Sequence, residues 1–252
     1  MTTLFVAVTL IVLTALLGST VLLVTALGLA GRSRGFFDWA ARTWARSLLR
    51  AAGVRLVLHD AERMQHDGAR IYMSNHVSWF DVFALATILP RYRFIAKAEL
   101  FRIPLFGAAA RAVGTIPIDR HNRKAAFESY REAAERIHGG DSVVVFPEGT
   151  RGTSYALRPF KKGPFVLAIA AQAPIVPTFI HGTIEVHRKR SPWIHPGRVD
   201  VHFLEPVPTV GLGYDDRDRL MRVVWQQMAE AARALYGIES HDAPVSPETS
   251  AA

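Results

Sequence analysis

The 252-residue sequence contains no cysteine, which excludes disulfide bonds and any chemistry that needs a thiolate. Charged side chains are absent from residues 2–31, and lysine and arginine are absent from residues 239–252. The hydrophobic fraction of 50% excludes an intrinsically disordered chain. Lysine and arginine outnumber the acidic residues by 30 to 22, so anionic lipids, phosphorylated substrates and nucleic acids are the partners to consider.

The uncharged leader, residues 4–30, is apolar throughout. As a helix it would reach ~40 Å, enough to cross the hydrocarbon core of a membrane. A cleaved signal sequence is the alternative, but nothing basic precedes Leu4. Gly18 and Ser19 leave open a kinked or re-entrant pair of helices in one leaflet. Five arginines follow the leader, so the positive-inside tendency predicts a cell-membrane protein whose body lies on the cytoplasmic side: Arg32, Arg34, Arg42, Arg46 and Arg50.

Residues 36–50 have the pattern of an amphipathic helix. Asp38 and three of these arginines recur every four residues, and the opposite face is apolar, with Phe36, Phe37, Ala40, Trp44 and Leu48. We expect this helix to lie in the membrane interface with Trp44 as its anchor, the alternative being a helix packed on the sheet. The predicted organisation is a membrane segment with this helix (1–50), a catalytic domain (51–238) and a disordered tail (239–252).

From Arg70 onward, apolar runs alternate between strand and helix patterns. Strands are predicted at 71–74, 93–96, 115–118, 142–146, 175–180 and 199–204, and helices at 79–89, 100–113, 123–138, 163–171 and 215–236. This order predicts an α/β fold with a mostly parallel sheet flanked by helices. In such sheets functional residues collect where the strands end, so the turns after 74, 118 and 146 are the candidate site.

The first of these turns holds His76 at the end of a strand and Asp81 in the first turn of the next helix. The helix can bring the carboxylate to the imidazole, which then acts as a base near neutral pH. Alone this is a weak signal, since Asp81 also suits the start of a helix. Two ligands are too few for a metal, so no metal is expected. Ser78 is expected to cap the helix rather than act as a nucleophile.

Four segments together carry a more specific signal. They are Asn75-His76 with Asp81, residues 114–120 (GTIPIDR), residues 146–151 (FPEGTR) and residues 174–177 (PIVP). In this order and spacing the chain resembles the glycerolipid acyltransferases of the 1-acylglycerol-3-phosphate acyltransferase family. The resemblance covers residues 71–177.

The resemblance implies transfer of a fatty acyl group from a thioester to the sn-2 hydroxyl of lysophosphatidic acid, giving phosphatidic acid in phospholipid biosynthesis. His76 would be the general base and Asp81 its orienting partner, and the lack of cysteine favours direct transfer over an acyl-enzyme. No cofactor is expected beyond acyl-coenzyme A or acyl carrier protein as co-substrate. The residues expected to bind the acceptor phosphate or glycerol are Arg120, Glu148, Gly149, Thr150 and Arg151, and those expected to meet the donor are Lys97, Lys161 and Lys162.

Other functions stay open at this point. A lipid-ester hydrolase would share the leader and the dyad but needs a nucleophile or a metal. A nucleic-acid-binding module would need clustered basic and aromatic residues on one face, whereas here the arginines are scattered. Within the family, the acceptor could be another lysophospholipid or a lyso-aminolipid.

Overall fold

Seven strands form one sheet in the part of the chain that the computed structural model describes, residues 1–29, 34–64, 68–119 and 122–241. The strands are β1 (Val54–His59), β2 (Ile71–Ser74), β3 (Tyr92–Lys97), β4 (Ile116–Ile118), β5 (Ser142–Val145), β6 (Ile175–His181) and β7 (Gly197–Phe203). Their order is β1-β7-β6-β2-β5-β3-β4, and β6–β7 is the antiparallel pair among neighbours that are otherwise parallel.

Helices cover both faces of this sheet. They are α1 (Thr2–Ala26), α2 (Arg34–Ala51), α3 (Trp79–Ile88), α4 (Phe106–Ala112), α5 (Arg123–His138), α6 (Gly163–Ala171), α7 (Thr183–Val186) and α8 (Arg217–Tyr236). Successive side chains of a strand point to opposite faces. Accordingly Ile71 packs in one core with Phe165 of α6 and Trp225 of α8, whereas Tyr72 packs in the other with Leu48 of α2 and Phe80 of α3. The predicted α/β class and mostly parallel sheet are confirmed.

One predicted helix was wrong, and one strand was missed. The helix expected over 100–113 is a 3-10 helix (Ala98–Arg102) followed by α4, because Pro104 and the positive φ of Leu105 (62°) interrupt it. Strand β1 was not predicted, since its half-buried residues lack a strong alternation, yet it pairs in parallel with β7 at one end of the sheet.

The apolar leader forms α1, which is long and apolar enough to cross a membrane. It runs unbroken through Gly18 and Ser19, and Gly18 packs close against Leu105. One face of α1 contacts the body along its length. Near its start the Thr3 hydroxyl accepts a 3.0 Å bond from the Ile194 amide, and near its end Val21 packs in a cluster with α2. The opposite face exposes large aliphatic side chains.

The amphipathic helix is present as α2, but its apolar face meets protein. Phe37 and Leu48 are buried, and α2 packs on both α1 and α3. The indole of Trp44, the expected membrane anchor, donates a 3.0 Å bond to Thr14 of α1 and packs edge-on against Phe83 of α3. The apolar face of α2 therefore packs on helices α1 and α3, and a place for α2 in the membrane interface stays a prediction. An amphipathic pattern identifies the apolar face of a helix, but that face can be buried against a neighbouring helix as well as against lipid.

The described part of the predicted tail is not free of contacts. Ser240 accepts a 2.8 Å hydrogen bond from the Leu157 amide, so the fold holds the chain beyond residue 239. Residues 242–252 lie outside the described residues. The rest of the predicted division into segments stays a prediction.

Candidate active site

The site forms where β2 and β5 end. These strands are parallel neighbours, so the turn after Ser74 and the turn after Val145 emerge at the same edge of the sheet. Asn75 fixes the first turn: its buried amide donates to the Ile180 carbonyl (2.9 Å) and accepts from the Ile180 amide (2.8 Å). These bonds tie the end of β2 to β6 and fix the backbone position from which His76 follows.

His76 and Asp81 form the predicted dyad. Nδ1 of His76 lies 2.9 Å from Oδ2 of Asp81. The ring stacks on Phe146 at a centroid distance of 3.9 Å, which fixes its plane. An ionised carboxylate only accepts, so Nδ1 carries the proton and Nε2 keeps a free lone pair. His76 also lines a cavity, so this nitrogen is the basic atom that a substrate can meet.

Asp81 is fully buried and receives four hydrogen bonds. Oδ2 accepts from His76 and from the amides of Val77 (2.7 Å) and Ser78 (2.8 Å). Oδ1 accepts from the hydroxyl of Thr183, at 2.6 Å. These donors offset the cost of burying a charged carboxylate and fix its orientation. Sequence reasoning missed Thr183, because it follows β6 and reaches Asp81 only through the fold.

Ser78 caps α3 as predicted. Its hydroxyl oxygen accepts from the Phe80 amide at 3.3 Å, within a capping box that Asp81 completes. Its hydroxyl hydrogen is given to the His187 carbonyl at 2.8 Å. Since Ser78 is buried and both roles of its oxygen are in use, the geometry does not suit a nucleophile.

Glu148 bonds the backbone of the dyad histidine. Its Oε1 accepts from the His76 amide at 2.9 Å, and its Oε2 accepts from Nε of Arg158 at 2.9 Å. Burial raises the pKa of Glu148, and the bonds from His76 and Arg158 oppose this shift. The expected bond from Glu148 to the acceptor glycerol stays a prediction, and no ion pair joins Glu148 to Arg151 among the described residues. The partner is Arg158, which also bonds the Thr150 carbonyl and which the sequence did not single out.

The second turn brings Gly149, Thr150 and Arg151 to the cavity that His76 lines. Gly149 has a φ of +79°, a left-handed backbone conformation that glycine adopts without strain. The Arg151 guanidinium lies 4.9 Å from the centre of the Trp79 ring, a cation–π contact. Partial burial lowers the pKa of Arg151, and the charge of Asp81 opposes this. Arg151 is therefore a partly desolvated cation beside the dyad.

The cavity itself has a volume of about 540 Å³ and is mainly apolar. It runs from the dyad between α1, α2, α3 and α4, and its lining includes Leu17, Val21, Trp44, Phe101 and Val113. Of the predicted donor-binding lysines, Lys97 lines the cavity and pairs with Glu99 at 2.9 Å. Lys162 instead pairs with Asp218 of α8 at 3.3 Å, and the stem of Lys161 lies against Gly149. Arg120 lies outside the described residues.

One group of three potential metal ligands occurs among the described residues: His59, Asp200 and His202. It lies on β1 and β7, which β6 separates from the dyad strand β2. Both Asp200 oxygens already accept from Arg198, at 2.7 and 2.8 Å, and Oδ1 also bonds His59. This group therefore has no part in the dyad.

Comparison with known proteins adds independent findings. A family model described as Acyltransferase matches residues 55–181, about half of the chain. A putative 1-acyl-sn-glycerol-3-phosphate acyltransferase of Caenorhabditis elegans is 32% identical over 188 residues, which are 73% of this chain and 64% of that protein. The alpha form from Homo sapiens is 35% identical over 185 residues, 73% of this chain and 65% of that protein.

Both matches cover less than two thirds of the relatives' own length. Matches to 1-acyl-sn-glycerol-3-phosphate acyltransferases of Cocos nucifera and Brassica napus cover only 46% and 33% of those proteins. Among solved structures, the 1-acyl-sn-glycerophosphate (LPA) acyltransferase of Thermotoga maritima is similar with a TM-score of 0.71 and 23% identity. That match covers 94% of this chain and 100% of that one, so the whole fold is shared.

Proposed function

This chain belongs to the acyltransferase family, and we propose that it transfers a fatty acyl group from an acyl thioester to the sn-2 hydroxyl of lysophosphatidic acid, forming phosphatidic acid. The observation that carries the proposal is the His76–Asp81 dyad, which opens into an apolar cavity beside the Arg151 cation. The names of the relatives support the same acceptor.

In the proposed reaction, Nε2 of His76 removes the proton of the sn-2 hydroxyl as its oxygen attacks the thioester carbonyl carbon. The C–S bond of the resulting tetrahedral intermediate then breaks. The sulfur leaves as a thiolate and takes the proton back from the imidazolium. Asp81 holds Nδ1 and stabilises the imidazolium between these steps. Both substrates are bound together, since no acyl-enzyme is formed.

The apolar cavity suits acyl chains, and Arg151 suits the acceptor phosphate. A guanidinium offers forked donors to phosphate oxygens, and partial burial strengthens the contact. Arg120 is proposed for the same role on the family resemblance. Glu148 positions His76 and Arg158 through the bonds described above, and a bond from Glu148 to the acceptor glycerol is proposed on the family resemblance.

Two points of the proposal need a direct assay. The donor is proposed to be acyl-coenzyme A or acyl carrier protein, and no separate cofactor is proposed. The alternative acceptor is another lysophospholipid or a lyso-aminolipid. Purified chain should be supplied with labelled acyl-coenzyme A or acyl carrier protein and a panel of lysolipids. We expect phosphatidic acid to be the main product. A preference for an acceptor without a phosphate monoester would replace lysophosphatidic acid in the proposal.

We propose that the protein works at the cell membrane with its body on the cytoplasmic side. The exposed aliphatic face of α1 supports contact with lipid. Because α1 touches the body near both of its ends, the contacts favour a seat in one leaflet beside the body over a helix that leads away from it.

Arg151→Ala should weaken binding of the acceptor more than binding of the acyl donor. Losing one charge-assisted contact to phosphate costs ~1.5–3 kcal/mol, so KM for lysophosphatidic acid is expected to rise by one to two decades. KM for the thioester should stay within a few-fold. Arg233→Ala, which removes an exposed arginine of α8, is the matched control. An equal loss on a lysolipid that lacks the phosphate monoester would show that Arg151 does not read the phosphate.

Thr183→Val should lower kcat by about tenfold with little change in KM, because Oδ1 of Asp81 loses its donor and the carboxylate is no longer held toward His76. Thr183→Ser keeps the hydroxyl and should retain most of the rate. Steady-state kinetics of the two variants test this. Equal losses in both would point to a packing defect instead of the hydrogen bond.

A further inference from the structure

A basic segment of the surface is not used by the proposed reaction. We call residues 187–195 the basic loop. Arg188 and Arg190 are exposed, and within the described residues neither has an ion-pair partner. Trp193, three residues further on, is 65% exposed. Two unpaired guanidinium groups beside an exposed indole form the combination that binds the headgroup region of anionic membranes.

The basic loop holds this arrangement in place by its own hydrogen bonds. The Ser191 amide donates to the Arg188 carbonyl at 3.0 Å, and the Trp193 amide donates to the Ser191 hydroxyl at 3.0 Å. The His195 amide closes the loop onto the Val186 carbonyl at 2.9 Å. Trp193 therefore stands out from a fixed turn. An apolar side chain of this size held in water lacks the burial that normally stabilises it.

The basic loop also adjoins the apolar leader. The Ile194 amide donates to the Thr3 hydroxyl at 3.0 Å, which places the loop against the first turn of α1. The next residues of that helix, Leu4 and Phe5, are 70% and 62% exposed. Trp193 directly precedes Ile194, so this contact holds the exposed indole near the exposed start of α1.

The same loop touches the active-site turns. The Ser78 hydroxyl donates to the His187 carbonyl at 2.8 Å, and Nζ of Lys189 donates to the Arg151 carbonyl at 2.7 Å. A surface bound by the basic loop is therefore held at a fixed distance from the turns that carry the dyad and Arg151.

We propose that the basic loop is a membrane contact for anionic phospholipid, separate from the exposed face of α1. Trp193 enters the headgroup region, and Arg188 and Arg190 bind lipid phosphates. Through its bonds to Ser78 and Arg151, this contact would hold the active-site turns near the bilayer, where a lipid acceptor resides. An anionic donor would also meet these arginines, but it gives no reason for an exposed indole beside the lipophilic start of α1.

The first test follows Trp193 in the full chain. The protein is reconstituted in vesicles of phosphatidylcholine and phosphatidylglycerol, with and without lipids brominated near the headgroup. The emission of Trp193 is the difference between the wild type and Trp193→Phe. We expect bromolipid to quench this difference strongly and aqueous acrylamide to quench it weakly. The reverse pattern would place Trp193 in water and overturn the proposal, whatever the enzymatic activity.

The second test concerns the charges. Bromolipid quenching of Trp193 should be stronger in vesicles with phosphatidylglycerol than in phosphatidylcholine alone, and Arg188→Gln/Arg190→Gln should remove this difference. Arg55→Gln/Arg233→Gln removes two exposed arginines elsewhere and should leave the difference intact. If the loop variant keeps the difference, or instead raises KM for the acyl donor with a short-chain acceptor in detergent, the loop serves another partner and the proposal fails.

Discussion

His76→Ala is expected to lower kcat for acyl transfer by ~10²–10⁴-fold, the usual effect of losing a general base. Nε2 of His76 is the free basic atom of the dyad, and it lies on the cavity where the acceptor hydroxyl would be bound. The change removes a ring that stacks on Phe146 but leaves the backbone bonds of this turn to Glu148 and Gly152 in place. Initial rates with saturating thioester and lysophosphatidic acid measure the effect.

His138→Ala serves as the control, because it removes an exposed histidine at the end of α5. It should keep the full rate. The unfolding temperature of His76→Ala in detergent should be close to that of the wild type, which would show that the loss of activity does not come from a loss of folding. A His76→Ala rate above about a tenth of the wild-type rate would remove this residue from the proton transfer.

The dyad could be predicted from the sequence because it is local. His76 and Asp81 lie five residues apart across one strand end and one helix start, and the capping of α3 by Ser78 fixes that geometry within the same segment. The meeting of the two site turns was predictable too, because strands that alternate with helices form parallel sheets whose strand ends share an edge.

The partners of the dyad could not be predicted in this way. Thr183 lies 102 residues after Asp81 in the sequence, and it reaches Asp81 only because β6 lies beside β2. Arg158 is close in sequence to Glu148, but either it or Arg151 could have paired with that carboxylate. Which arginine pairs with Glu148 depends on how the loop after β5 folds back, and no periodic pattern in the sequence predicts that path.

The helix α2 shows the limit of amphipathic patterns. Its apolar and charged faces were assigned correctly from the spacing of residues 36–50. The charged face, however, also makes internal contacts: Asp38 pairs with the buried Arg93 at 2.7 Å, and Arg42 bonds the Leu89 carbonyl at 2.9 Å. Hydrophobic patterning states which residues leave water, while the surface that receives them is set by elements far along the chain.

Asp81→Asn is expected to lower kcat by ~10²–10⁴-fold while KM and folding stay close to wild type. The amide oxygen can take the place of Oδ2 and keep the bonds from His76, Val77 and Ser78. The amide nitrogen then faces the Thr183 hydroxyl, which can rotate and accept. Every hydrogen bond survives, so the variant removes only the negative charge that stabilises the imidazolium.

This makes Asp81→Asn a sharper test than Asp81→Ala, which would leave buried donors unpaired and destabilise α3. Asp215→Asn, an exposed carboxylate-to-amide change before α8, is the matched control and should be silent. Initial rates, with unfolding temperatures alongside, separate charge from structure. If Asp81→Asn loses less than about tenfold in kcat, the carboxylate only caps α3, and His76 removes the acceptor proton without help from its charge.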